Sequence, residues 1–114
     1  MHELSLCHAI GGIVDRARDG RAVTRVHLQV GQLRQVVPET LVYCWGLVTD
    51  GGPLAGSELV VEHVAVQVDC RDCGGRTQVL HALVLTCATC GSGATDVVTG
   101  EELLVTSMDL AREN

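Results

Sequence analysis

Two Cys-x-x-Cys pairs constrain the fold of this chain more than any other feature. The pairs lie in the segments "CRDCGG" and "CATCGS", and thirteen residues separate them. Two residues between cysteines let one tight turn direct both sulfurs at a single ion, and two such turns supply a tetrahedral set of thiolates. The pattern therefore predicts one metal site, made of Cys70, Cys73, Cys87 and Cys90.

Structural Zn(II) is the metal that this spacing favours, although the interval between the pairs is slightly shorter than usual. Gly74 and Gly91 follow the pairs, and glycine accepts the positive φ that such turns often require. A rubredoxin-like iron site uses the same four thiolates and is the alternative. A thioredoxin-type redox pair would not explain the duplication. Because four thiolates complete a tetrahedron, the predicted zinc is a scaffold and not a catalyst.

Charge and composition exclude two classes of partner. The chain has 114 residues, a net charge of −6 and no lysine. A phosphate backbone requires a basic face, so we expect no nucleic-acid partner. No apolar run reaches the ~18 residues of a membrane span, and the N-terminus lacks the pattern of a signal peptide. We therefore expect a cytoplasmic protein with no membrane partner, in which six cysteines serve as ligands or core residues.

Apolar periodicity predicts two helices. The first runs from Glu3 to Asp19 and ends at Gly20. Its apolar stripe contains Leu6, Ile10, Ile13 and Ala17, widened by Cys7 and Val14. The second helix lies in "PETLVYCWGLVTDGGP", where Pro38 suits the first helical position. Its stripe contains Leu41, Trp45 and Val48.

Alternating apolar residues predict three strands, in "TRVHLQVGQL", "SELVVEHVAVQV" and "EELLVTSMDL". Between the last two, residues 69–100 are rich in Cys, Gly, Thr and Asp and form an inserted module. The strands that leave and return at its neck should pair antiparallel. The predicted fold is α+β: two helices packed on a small three-stranded sheet, formed by residues 1–68 and 101–114, with a zinc-ribbon-like module.

The N-terminal "MHE" offers a second set of metal donors. The amine of Met1 and the amide and imidazole nitrogens of His2 can close fused chelate rings, and Glu3 can supply a fourth ligand. Nitrogen-rich tetragonal sets suit Ni(II) and Cu(II). From the residues alone, solvated chain-end side chains without a metal are the simpler interpretation.

The motifs and their order together resemble one known family. "MHE" and "SLC", the amphipathic helix, "VGQL", the proline-initiated helix and C-x2-C-x13-C-x2-C resemble the HypA/HybF family of hydrogenase-maturation nickel chaperones over essentially the whole chain. The resemblance implies nickel at Met1, His2 and Glu3 and zinc at the four cysteines. One departure is Gln32, where the family often has Glu.

The resemblance also implies partners. Such proteins pass Ni(II) toward the large-subunit precursor of [NiFe]-hydrogenase, together with a nickel-binding GTPase, and some also serve urease. A monomer and a homodimer are both compatible with the sequence. The alternative function is that of a zinc-ribbon protein-interaction adaptor without nickel.

The remaining candidate residues have simpler interpretations. Cys7 and Cys44 fall on helix stripes and are expected to be small core residues. His8 shares the first helix with the N-terminal donors, but we expect it to be solvated. His63 and His81 lie near the module without an assigned role. No catalytic constellation can be argued, so we expect no enzyme.

Overall fold

The computed structural model describes residues 3–79 and 84–112, and Met1, His2 and His81 lie outside this part. The described elements, in chain order, are α1 (Glu3–Ala17), β1 (Val23–Gly31), a 3-10 turn (Gln32–Arg34), α2 (Pro38–Thr49), β2 (Glu58–Val64), β3 (Val66–Cys70), β4 (Arg76–Val79), β5 (Thr95–Thr99) and β6 (Leu103–Leu110). No helix in the described residues is long and apolar enough to cross a bilayer.

The chain divides into two compact units. The first unit comprises Met1–Gln29, Val36–Glu62 and Leu104–Asn114, and the second comprises Val30–Gln35 and His63–Leu103. Two three-stranded sheets are present, with strand orders β2-β1-β6 and β4-β3-β5. The predicted α+β class, with two helices, a small sheet and a zinc-ribbon-like module, is confirmed. The second sheet was not predicted.

The core of the first unit lies where α1 packs against α2. The buried residues of the two helices are Leu6, Cys7, Ile10, Val14, Leu41, Cys44, Trp45 and Thr49. The predicted stripe of α1 is therefore wrong at Ile13, which is 48 % exposed, and at Ala17, which is also exposed. The side of α1 that contacts α2 is rotated toward Cys7 and Val14, which lie at the edge of the predicted apolar stripe.

Helix α1 ends two residues before the predicted Asp19. Asp19 and Gly20 have φ of 52° and 75°, and two successive left-handed residues cannot continue a right-handed helix. Helix α2 begins at Pro38 as predicted and ends at Thr49, before Gly51 with φ of 71°. Local chemistry therefore sets the ends of both helices.

Strand β1 alternates as predicted, with Val26, Leu28 and Val30 buried. The prediction of one continuous strand over residues 57–68 is wrong, because the segment divides at Ala65 into β2 and β3. These two strands belong to different sheets. The apolar alternation of the sequence continues across the break, because both strands bury side chains, although they pair with different strands.

Strand β3 is the centre of the second sheet. It pairs antiparallel with both β4 and β5. The predicted antiparallel pairing of the two strands that flank residues 69–100 is wrong, because β6 pairs with β1 in the first sheet. Among the described residues, the buried core of this sheet is Val66, Val68 and Val79, against which Leu33, Leu85 and Val97 pack. A core of this size gives the second unit little stability from burial alone.

A close backbone crossing joins residues 30–35 to the rest of the second unit. A Cβ on Gly31 would overlap the carbonyl group of Gly100, whose own φ is 112°. The Leu33 amide donates to the carbonyl oxygen of Gly100 at 2.8 Å. The side-chain oxygen of Gln32 accepts from the amide of Val66 at 3.0 Å.

Candidate metal centre

The structure brings together the four cysteine sulfurs that the sequence predicts as ligands. The Sγ atoms of Cys70, Cys73, Cys87 and Cys90 all lie within 4.8 Å of one another. Between the two turns, the Sγ atoms of Cys70 and Cys90 are 3.5 Å apart, and those of Cys73 and Cys87 are also 3.5 Å apart. A tetrahedral zinc with Zn–S bonds of about 2.3 Å separates its sulfurs by about 3.8 Å. The donor set therefore fits a tetrahedral thiolate site.

Each cysteine pair lies in a turn of the same design. The amide of Gly74 donates to the carbonyl oxygen of Cys70 at 3.0 Å, and that of Gly91 donates to Cys87 at 2.9 Å. The two glycines have φ of 74° and 75°, so the predicted left-handed conformation is confirmed at both. The first cysteine of each pair is buried and the second is exposed. Two turns of the same geometry therefore bring two sulfurs each to one cluster of four.

Backbone amides prepare the first cysteine of each pair as a thiolate. Amide donors of Cys90 and then Thr89 lower the pKa of Cys87 to about 6. The amide of Cys73, which lies 3.4 Å from the sulfur of Cys70, is the largest cause of a lowered pKa at Cys70. Because a thiolate is the metal-binding form, these amides favour metal binding.

The second cysteine of each pair has the opposite shift. Amides of Gly75 and Ser92 act to lower the pKa values of Cys73 and Cys90, respectively, but the neighbouring sulfurs outweigh them. The pKa of Cys73 is raised, and that of Cys90 is raised to about 12. A divalent metal entering this set must therefore displace protons, as expected for a thiolate site.

Polar residues between the turns were missed from the sequence. The hydroxyl of Ser92, beyond the second turn, donates to the carboxylate of Asp72 in the first turn. The same Ser92 oxygen accepts from the amide of Ala94 at 3.0 Å, and the hydroxyl of Thr77 accepts from the amide of Ala88 at 2.9 Å. The sequence shows a polar residue in each cysteine motif, Asp72 in "CRDCGG" and Ser92 in "CATCGS", but it does not show that the two are hydrogen-bonded to each other.

An ion pair supports the strand that leads into the first turn. Two nitrogens of Arg76 donate to the carboxylate of Asp69, at 2.7 and 3.1 Å. These hydrogen bonds are the largest cause of a lowered pKa at Asp69. Asp69 and Arg76 are paired in register across β3 and β4, so the contact fixes the strands on either side of Cys70 and Cys73.

The described histidines do not join this cluster. His8 is exposed on α1, as expected, and lines a cavity that includes Gly11 and Gly12. His63 is exposed on β2, and His27 lies 3.2 Å from the carboxylate of Asp109. Glu3 is the first residue of α1, whereas the predicted nickel ligands Met1 and His2 lie outside the described residues. Among residues 3–79 and 84–112, the four cysteines form the one group of three or more potential metal ligands.

The other two cysteines are core residues, as predicted. Cys7 is fully buried and Cys44 is 9 % exposed. The Cys7 thiol donates to the carbonyl oxygen of Leu41 at 3.3 Å. Burial first, and then the charges of Cys44 and Glu3, raise the pKa of Cys7 to about 11. This thiol is therefore protonated and chemically inert at neutral pH.

Comparison with known proteins places nearly the whole chain in one family. The model of the family described as "Hydrogenase/urease nickel incorporation, metallochaperone, hypA" matches residues 1–110. A hydrogenase maturation factor HypA from Desulfosudis oleivorans is 35 % identical, with 96 % of this chain and 98 % of that protein covered. The corresponding factor from Chloroflexus aurantiacus is also 35 % identical, with the same coverage.

Solved structures agree on the fold. The solution structure of the Ni metallochaperone HypA from Helicobacter pylori covers 99 % of this chain and all of its own, with a TM-score of 0.68 and 17 % identity. At that identity the match concerns the fold alone, whereas the family follows from the sequence matches. This chain therefore belongs to the HypA family of metallochaperones for hydrogenase/urease nickel incorporation.

Proposed function

We propose that this metallochaperone, which is not an enzyme, binds one Ni(II) through the amine of Met1, the amide and imidazole nitrogens of His2, and Glu3. The observation that carries the proposal is the family match, because it begins at residue 1 and includes all three residues. The nitrogen-rich donor set suits the tetragonal preference of Ni(II).

The position of these donors suits a carrier that must release its cargo. Glu3 is the first residue of α1, and the other two proposed donor residues precede it in the sequence. A chelate at a chain end leaves one side open to an incoming ligand, and a recipient can then replace the donors one at a time. A fully enclosed site would bind the metal more tightly and release it more slowly.

We assign structural Zn(II) to Cys70, Cys73, Cys87 and Cys90. A zinc ion bound there would join the two turns and leave no coordination position open. The proposed zinc module comprises residues 69–100, and the proposed nickel domain comprises residues 1–68 and 101–114. The separate donor types keep cargo and scaffold apart, because thiolates suit zinc and the nitrogen set suits nickel.

The proposed pathway is cytoplasmic delivery of Ni(II) for maturation of [NiFe]-hydrogenase. Its partners are the nickel-binding maturation GTPase and the precursor of the hydrogenase large subunit. The family description names urease beside hydrogenase, so urease is the second client to test. The acidic charge and the absence of lysine leave nucleic acid outside the proposed partners.

A metal count on untagged protein tests both assignments. We expect one zinc per chain without added nickel, and one zinc plus one nickel after incubation with Ni(II) and desalting. His2→Ala should lose the nickel and keep the zinc. His8→Ala, which changes an exposed histidine in α1, is the matched control and should bind nickel like the parent.

A second preparation separates the terminal amine from the side chains. Adding Gly-Ser before Met1 converts the amine into a peptide nitrogen, a far poorer donor, and retains every side chain. Calorimetric titration should show weaker nickel binding with unchanged zinc content. Equal affinity would show that the amine is not a ligand. Unchanged nickel binding by His2→Ala would contradict the nickel site itself.

A further inference from the structure

The outward face of α2 is apolar where a surface helix normally carries polar residues. Val42, Tyr43 and Leu47 are 44 %, 68 % and 56 % exposed, and Gly46 lies exposed among them. The opposite side of the helix already carries its core residues, such as Leu41 and Trp45. The exposed residues therefore form a second apolar stripe on α2, which the fold of the first unit does not use.

Carboxylates mark both ends of this stripe. The stripe follows helical spacing through Glu39, Val42, Tyr43, Gly46, Leu47 and Asp50. Helix α2 contains no basic residue. Within the described part of the chain, the side chains of Glu39 and Asp50 make no ion pair or hydrogen bond. The two carboxylates are eleven residues apart, which corresponds to about 16 Å along a helix.

A groove at the N-terminal end of the stripe can accept a side chain. A cavity of ≈ 380 Å³ lies between α2 and β2 and is lined by Pro38, Glu39, Val42 and Val61. Its volume accommodates a large apolar side chain, and Glu39 stands at its edge. Farther along the stripe, a Cβ on Gly46 would meet no atom within 4 Å, so another backbone can approach closely there.

We propose that the stripe formed by Glu39, Val42, Tyr43, Gly46, Leu47 and Asp50 docks a protein partner that presents an amphipathic helix. The apolar face of that helix covers the centre of the stripe, and basic residues at its two ends meet the carboxylates. The arrangement follows the general mode in which a helix lies in an apolar groove. None of these residues is a proposed metal ligand, so the docking function adds to the proposed nickel function.

Charge selects this occupant over two others. In an antiparallel pairing with a second copy of the chain, Glu39 would face Asp50 of that copy, and in a parallel pairing each carboxylate would face its own equivalent. Like charges oppose both arrangements. An anionic membrane surface would repel the same carboxylates. A helix with basic ends satisfies both the apolar and the charged parts of the stripe.

Binding of two synthetic peptides tests the proposal. The first is a helical peptide with four leucines on one face between two arginines placed eleven residues apart. The second has glutamates in place of the arginines. Isothermal titration with the full, zinc-loaded chain should show binding of the arginine peptide, and a Kd about tenfold or more higher for the glutamate peptide.

Two matched substitution pairs locate the binding to the stripe. Leu47→Arg should raise the Kd of the arginine peptide at least about tenfold, whereas Leu104→Arg, at a leucine of 55 % exposure on β6, should not. Glu39→Gln with Asp50→Asn should remove the preference for arginine, and Glu101→Gln should not. The double variant Glu39→Gln, Asp50→Asn retains the helix and the apolar residues, so it tests the stripe even if Leu47→Arg impairs folding.

Several results would overturn the proposal. These are absence of peptide binding, equal affinity for the two peptides, or equal effects of the Leu47 and Leu104 substitutions. Sedimentation that shows a dimer dissolved by Leu47→Arg would assign the stripe to self-association instead. Co-flotation with anionic vesicles that Leu47→Arg abolishes would assign it to a membrane.

Discussion

Cys70 and Cys87 differ from Cys7 in what surrounds the sulfur. At Cys70 and Cys87, backbone amides point at the sulfur and lower the pKa, which favours the thiolate. At Cys7, burial between the helices raises the pKa to about 11 and favours the thiol. The same residue type is therefore prepared as a thiolate in the second unit and is a small apolar residue in the first.

The raised pKa of Cys7 predicts a loss of stability at alkaline pH. The thiol ionises near its ordinary pKa of 9.0 in the unfolded chain and near 11 in the folded one. Deprotonation therefore favours the unfolded state, so the contribution of Cys7 is fully present below pH 9 and is lost as pH rises toward 11. Urea unfolding of the zinc-loaded protein at pH 8 and pH 10.5 should show a larger fall in the free energy of unfolding for the parent than for Cys7→Ala. Equal falls would contradict the shift.

Two glycines in regular elements have opposite roles. Gly46 lies within α2, where an added Cβ meets no atom within 4 Å. Gly31 ends β1, where an added Cβ would overlap the carbonyl group of Gly100. Gly46 lowers the helix propensity of α2, and no neighbouring atom in this chain requires a glycine there. Its presence agrees with a surface that a partner approaches closely.

The same substitution should therefore have opposite effects at these two positions. Gly46→Ala should raise the free energy of unfolding by about 0.5–1 kcal/mol, because alanine is the better helix former. Gly31→Ala should lower the stability of the second unit by about 1–3 kcal/mol, because the backbone crossing must open. Urea titrations followed by circular dichroism and by zinc release measure the two effects. A stabilised Gly31→Ala variant would contradict the crossing at Gly100.

The two units depend on different interactions at the scale of the whole molecule. The first unit has a core of packed helices that includes the fully buried Trp45 and Leu41. In the described part of the second, the buried cluster is Val66, Val68 and Val79, and the four cysteine sulfurs lie together. A unit with so small a core generally requires a metal or disulfides to fold, and its cysteines are free.

Loss of the metal should therefore unfold one unit and largely spare the other. Cys73→Ala should reduce the zinc content from one per chain to near zero and abolish amide-exchange protection on β3, β4 and β5. Protection and helical circular dichroism from α1 and α2 should largely persist. Cys44→Ala is the control, since it removes a sulfur from the first unit and should keep the zinc. Retention of one tightly bound zinc by Cys73→Ala would rule out the four-cysteine site.

The sequence by itself determined the features that depend on neighbouring residues. Pro38 predicted the start of α2 because proline suits the first helical position, and the paired Cys-x-x-Cys motifs predicted which four sulfurs lie together. Gly74 and Gly91 marked left-handed positions for the same local reason. The family resemblance also came from such short motifs and their order, and the family match over residues 1–110 confirmed it.

Only the tertiary structure decided the features that need a distant partner. The break at Ala65 separates two strands of similar pattern that join different sheets, and the buried side of α1 excludes Ile13 because of where α2 lies. The link from Ser92 to Asp72 also joins residues twenty positions apart. Strand alternation and helical periodicity predict that a side chain is buried, but they do not predict which residue it packs against. The hydrophobic effect is non-directional, so many different apolar neighbours can bury the same side chain.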